Sequence, residues 1–166
     1  MDKLYDIGLN YFSNINLDPN KLDILYVEKN ILFEYGGYKF RGIIDLMYKD
    51  ENGDLIILDH KTSEYPLTKQ GRIKKNKQPM MDGYTKQLAM YAYGVKNIIG
   101  IMPKYIGWNF IREGKTYLIP VTDEIISDTM NWATGVIKKI YNTYDFAKNG
   151  EYFMCKNLCD FRDICN

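Results

Sequence analysis

The 166-residue chain carries 22 basic and 21 acidic residues, for a formal charge of +1, and 46% of it is hydrophobic. That length suits a single domain with a sizeable core, and the near-even balance excludes a global field that would draw in nucleic acid, so any such attraction must be local. No apolar stretch is long enough to span a membrane, and the N-terminus lacks the basic-then-apolar form of a signal peptide, so the expected location is cytoplasmic.

In chain order, Leu4 to Phe12 has weak helical periodicity and NLDPNKLD, residues 16–23, reads as a loop. Ile24 to Tyr35 is the first clear strand, and Gly36-Gly37 turns it into a second from Tyr38 to Tyr48. DENGD, residues 50–54, is a strong turn signal. The run Leu55-Ile56-Ile57-Leu58 has no alternation, as in a strand buried on both faces. The segment EYPLTKQGRIKKNKQP, residues 64–79, is polar and basic, with Pro66, Gly71 and Pro79 opposing a continuous helix. A helix over Met80 to Val95 tolerates Gly83. Asn97 to Met102 reads as a short buried strand, and Tyr105 to Arg112 with Lys115 to Val121 as a hairpin turning at Glu113-Gly114. Thr122-Asp123-Glu124 opens a long helix expected to reach about Lys148, with Asn149-Gly150 ending it. Trp108 and Trp132 read as packing residues.

The chemistry is concentrated between Gly42 and Thr62, GIIDLMYKDENGDLIILDHKT. On a strand successive side chains alternate between faces, so Asp59 and Lys61 point one way and His60 the other. If the segments flanking DENGD pair as a hairpin, Asp45 joins Asp59 and Lys61 at one place. Two carboxylates suit Mg²⁺, which takes oxygen ligands and keeps several waters, and a nearby lysine can orient a water or offset developing negative charge. Phosphodiester hydrolysis is the reaction this set fits, whereas a lone D-x-K is more simply a strand salt bridge. On the following helix Gln87 and Tyr91 are four residues apart and share a face. In the basic segment, Lys69, Arg72, Lys74, Lys75 and Lys77 are either a solvated run or, beyond such a strand, contacts to a phosphate backbone.

GIID at Gly42–Asp45, DHKT at Asp59–Thr62 and QLAMY at Gln87–Tyr91, in this order and at these spacings, resemble the PD-(D/E)xK nuclease superfamily. The similarity is greatest to RecB-like exonucleases, including the iron–sulfur nucleases of CRISPR adaptation and of AddAB-type helicase–nucleases. It runs roughly from Tyr26 to the C-terminus. The resemblance implies an α/β, restriction-endonuclease-like core, a central mixed β-sheet flanked by helices, with a C-terminal cysteine-rich tail: a core over 1–154 and a cysteine cluster over 155–166 packed on the same domain. It implies Mg²⁺ or Mn²⁺ held by Asp45, Asp59 and the backbone carbonyl of His60, with Lys61 activating water. Gln87 and Tyr91 are placed by it at the lysine and the DNA strand, and Glu28 near the metal or the DNA; a solvent-facing strand glutamate is the alternative. Gly42 is expected to let neighbouring backbone approach closely.

The three cysteines, Cys155, Cys159 and Cys165, lie within CKNLCDFRDIC. Clustered cysteines in an intracellular chain point to metal rather than disulfides. The iron–sulfur branch ends in a similar trio and takes a fourth cysteine from near its N-terminus, whereas a [4Fe–4S] cluster needs four ligands and this chain has three cysteines. Zinc and free thiols are the alternatives. The usual upstream metal-binding histidine is likewise missing, since His60 is the single histidine. A further subunit or a missing N-terminal segment is therefore expected to supply a histidine and a cysteine; loss of both in this lineage is the alternative. The reading is an exonuclease acting on DNA in recombination, repair or defence, in a bacterial or phage-infected cell. Its rivals are an inactive DNA-binding or scaffold module of the same fold and a restriction-type endonuclease.

Overall fold

The computed structural model describes residues 2–13, 22–145 and 152–160. Helix α1 (Asp2–Ser13) precedes a long hairpin of β1 (Asp23–Tyr35) and β2 (Tyr38–Lys49), closed by Gly36 and Gly37, both at positive φ. Strand β3 (Leu55–Lys61) runs antiparallel to β2, β4 (Tyr105–Phe110) parallel to β3, and β5 (Lys115–Pro120) antiparallel to β4. The sheet order is β1-β2-β3-β4-β5. A parallel pair needs a long crossover, and α2 (Gln78–Ile99) supplies it between β3 and β4. Helices α3 (Asp123–Asn142) and α4 (Tyr152–Asn157) follow. This is the α/β architecture with a central mixed sheet that the sequence implies. The chain forms two compact units, Met1–Thr134 and Gly135–Asn166.

Alternation along the strands divides the sheet's side chains between two apolar clusters. On one face Ile31, Phe33, Ile57, Trp108 and Phe110 pack with Met81, Leu88, Ala92 and Val95 of α2 and with Met130 of α3. On the other, Leu46, Tyr48, Ile56 and Leu58 form a smaller cluster. Helix α2 comes very close to β1 because Gly94 has no side chain: a Cβ there would stand 2.5 Å from Phe33 Cδ1.

Three local expectations are corrected. Residues 97–102 are not a buried strand: α2 continues to Ile99, Gly100 closes it at φ 80°, and Ile98 and Ile101 are exposed. The apolar run that reads as a strand is the helix's last turn and its exit, and a left-handed glycine is a standard helix stop. Helix α3 ends at Asn142 rather than near Lys148, where Thr143 donates its hydroxyl to Lys139 O at 2.6 Å and its N–H to Ile140 O. That i→i−3 bond tightens and closes the last turn; residues 146–150 lie outside those described. Trp108 is fully buried as expected, but Trp132 is 45% exposed, with Lys86 Nζ 4.4 Å from its ring centroid.

Candidate active site

The site forms where β2 and β3 part. Their ladder runs from Lys49↔Leu55 to Leu46↔Leu58. Two residues beyond Leu58, the backbone N–H of His60 donates to Asp45 Oδ2 at 2.8 Å. The carboxylate thus takes a donor that a continued ladder would have paired with backbone. Regular alternation is broken here as well. Ile44 and Met47 belong to the cluster under α2 while Leu46 belongs to the opposite one, so Asp45 occupies an irregular step of β2. Across the β1–β2 ladder, between the pairs Val27↔Leu46 and Lys29↔Ile44, stands Glu28 with φ 50°. Left-handed backbone at a non-glycine residue is strained and is concentrated at functional positions. Glu28 is exposed and stands level with Asp45 in the ladder.

On β3 the period of two holds. Lys61 Nζ lies 2.6 Å from Asp59 Oδ2, with side-chain exposures of 15% and 7%. The contact is a short, charge-assisted ion pair at a nearly buried carboxylate. Burial raises the Asp59 carboxyl above the usual carboxylate range; Lys61 opposes the rise and the charge of Asp45 adds to it. His60 points to the opposite face, where its Nδ1 is 3.0 Å from Asn109 Nδ2 on β4; the same amide nitrogen donates to Tyr11 Oη at 2.7 Å.

Helix α2 completes the lysine's surroundings. Lys61 Nζ donates to Gln87 Oε1 at 3.3 Å, and Gln87 Nε2 donates to Tyr91 Oη at 3.3 Å. The ammonium also lies 4.1 Å from the ring centroid of Tyr84, a cation–π contact that the sequence reading missed. Tyr84 lies three residues before Gln87, a helical neighbour spacing, and that was the one available signal. Gly42 makes room for this arrangement, and here the expectation is corrected: what comes close is a side chain, not backbone. A Cβ on Gly42 would stand 2.3 Å from Tyr91 Cε1. The sequence-predicted Asp59, Lys61, Gln87 and Tyr91 are therefore brought together, through Gly42 and Tyr84, on the α2 side of the sheet, and Asp45 joins them through the His60 N–H and through its charge on Asp59.

The basic segment folds into a small hairpin held by a Leu67↔Ile73 bridge and a Thr68 N–Arg72 O bond of 2.8 Å. Lys74 Nζ donates to Tyr65 O at 3.0 Å and Lys77 pairs with Glu64 at 3.2 Å, so these two cations brace the hairpin. Lys69, Arg72 and Lys75 are exposed. In the tail, Cys155 lies in α4 and Cys159 just beyond it, both half-buried, and Cys165 is outside the described residues.

Two neighbouring carboxylates, one of them nearly buried, fit a hard divalent cation, which accepts one or two carboxylates and fills its remaining positions with water. Among the described residues no three His, Cys, Asp or Glu side chains gather as a metal set, so this fit rests on the Asp45–Asp59 pair. The same observation leaves the cysteine tail without a complete cluster-binding set among the described residues.

The chain belongs to the PD-(D/E)XK nuclease superfamily, whose family description matches residues 8–166. Among solved structures it is similar to a protein from Eubacterium rectale whose name proposes an exonuclease, at 16% identity and a TM-score of 0.58. The match covers 98% of this chain and 60% of that one, so the chain spans less than two thirds of that relative's length. A second structure, SSO0001, is 21% identical with a TM-score of 0.48, over 98% of this chain and 68% of the other. No curated protein matches. The structural likeness shows the shared fold. No helix among the described residues is long and apolar enough to cross a membrane.

Proposed function

We propose that this chain is a metal-dependent deoxyribonuclease that removes nucleotides from DNA ends. One observation carries the reading: where β2 and β3 separate, the nearly buried carboxylate of Asp59 is paired with the ammonium of Lys61, and the carboxylate of Asp45 accepts from the backbone N–H of His60 between them. Asp45 and Asp59 would hold Mg²⁺ or Mn²⁺ through carboxylate oxygens, together with the His60 carbonyl. Bound there, the cation lowers the pKa of a water and offsets charge on the phosphoryl oxygens. Lys61 donates to the attacking water or to the phosphoryl oxygen that gains negative charge. Water oxygen bonds to phosphorus, the bond to the leaving sugar oxygen breaks, and that oxygen takes up a proton. Gln87, Tyr91 and Tyr84 hold the lysine in place, Glu28 stands beside Asp45, and Lys69, Arg72 and Lys75 meet the backbone of the incoming strand.

Action at ends is supported by the resemblance of the three motifs to RecB-like exonucleases. Incubation of linear and covalently closed circular DNA with Mg²⁺ tests it. The linear form is consumed and the closed circle persists; equal loss of both assigns the chain to the restriction type instead. The tail carries a separate proposal from its cysteine spacing. Cys155, Cys159 and Cys165 hold a [4Fe–4S] cluster whose fourth ligand comes from outside this chain. Iron and acid-labile sulfide in anaerobically purified protein support it, and the absence of both overturns it.

A further inference from the structure

We infer that the DNA backbone passing Lys61 is met by one basic surface that continues from the basic hairpin onto the β4–β5 turn, through Arg112 and Lys115. The inference rests on the nuclease reading above and extends its DNA-contact surface to residues outside the basic segment.

Three observations place this turn at the site. Strand β4 runs beside β3 as far as the pair Lys61↔Phe110, and Ile111 N then donates to Lys61 O at 3.0 Å. The turn therefore starts level with the catalytic lysine. Gly114, at φ 58°, closes it and leaves Arg112 and Lys115 exposed. The chain leaving Lys61 also enters the basic hairpin within three residues.

The hairpin and the turn meet at Glu64 and Tyr65. Glu64 pairs with Lys77 at 3.2 Å, and its carboxyl is held below the usual range by Lys77 first and by Lys74 and Arg112 at longer range. Arg112 thus shares an electrostatic neighbourhood with the base of the hairpin. Tyr65 stands edge-on to buried Phe110 at 5.4 Å, and Lys115 Nζ lies 5.2 Å from its ring centroid. The result is one continuous cationic surface around the end of β3. Five basic residues of the hairpin segment and two of the turn stand against two acids, Glu64 and Glu113, an excess that the chain-wide charge of +1 conceals. A polyanion is the partner such a surface fits, because each phosphate neutralised releases condensed counterions. Contacts of this kind orient a duplex without reading its sequence.

Anisotropy titration of a short labelled DNA duplex in EDTA, over a series of salt concentrations, tests the inference without cleavage. The Arg112→Gln/Lys115→Gln variant is compared with wild type and with Lys39→Gln/Lys96→Gln, which removes two cations elsewhere. The turn variant is expected to bind about tenfold more weakly, and its slope of log K against log salt to be shallower by about 2, with an unchanged melting temperature. The control pair leaves both quantities as in wild type. A turn variant with wild-type affinity and slope overturns the inference while the nuclease reading stands. Wild-type protein that binds no DNA overturns both, and tighter binding of an RNA duplex of the same sequence overturns the choice of DNA.

Discussion

Asp59 holds a carboxylate that burial disfavours and that Lys61 only in part compensates. Its raised folded-state pKa has a fixed sign of effect on stability. The folded carboxyl keeps its proton to higher pH than the unfolded chain does, so the stability it contributes is full below the unfolded value and is lost as pH rises through the raised folded value. Metal-free wild type is therefore expected to gain stability relative to Asp59→Asn as pH falls across that window. Denaturant unfolding at stepped pH in EDTA measures the difference, and a flat or opposite trend would contradict the burial argument. Tyr84 invites a second residue-level test. Removing a partly desolvated cation–π partner costs about 0.5–2 kcal/mol, so Tyr84→Leu should lower kcat by about 2- to 30-fold with KM for DNA little changed. Tyr84→Phe keeps the ring and should keep the rate; a Phe variant as slow as the Leu variant would assign the effect to the hydroxyl. The Asp59–Lys61 pairing was legible in the sequence because a strand's period of two settles it. Tyr84 was not, because its contact with Lys61 depends on how α2 docks across β3.

At the scale of elements, the site is set by the parting of two strands and the close seat of one helix. The irregular step at Asp45 and the strained Glu28 beside it lie in the β1–β2 ladder, and no periodicity argument shows them. What the sequence did show was the turn at residues 50–54 and hence the antiparallel return of β3, which brings the two acids together. The reading failed where apolar residues lacked a diagnostic period: Asn97 to Met102 holds isoleucines that suit a strand, yet a helix already under way incorporates them up to Gly100. Gly42 is the element-level test. A methyl group there meets the Tyr91 ring at a distance no packed contact allows, so Gly42→Ala should destabilise by about 1–3 kcal/mol, as overpacking does. It should also slow cleavage by displacing the Tyr91–Gln87–Lys61 chain. In a Tyr91→Leu background the added stability cost should largely vanish, as a double-mutant cycle by thermal melting would show; an additive cost would place the strain elsewhere.

For the molecule as a whole, the architecture follows from one crossover in an otherwise consecutive sheet. Helix α2 closes the apolar face and brings Gln87 and Tyr84 to the end of β3 in the same stroke. The α/β class was legible because strand and helix patterns alternate through the middle of the chain. The register that sets His60 beside Asn109, and Ile111 beside Lys61, was not, because parallel pairing across a long crossover leaves no local signature. Composition was similarly mute about the partner, since a net charge of +1 averages over a basic surface at one end of the sheet. The central claim is that Asp45, Asp59 and Lys61 form a metal-dependent phosphodiesterase site. Its most direct test is cleavage of end-labelled linear DNA with Mg²⁺ or Mn²⁺, beside an EDTA control and Lys61→Ala. The account predicts cleavage that EDTA abolishes and that Lys61→Ala slows by about 100-fold or more, the usual loss when a group aimed at developing charge is removed. DNA left intact by wild type with either metal, or cut as fast by Lys61→Ala as by wild type, would contradict it.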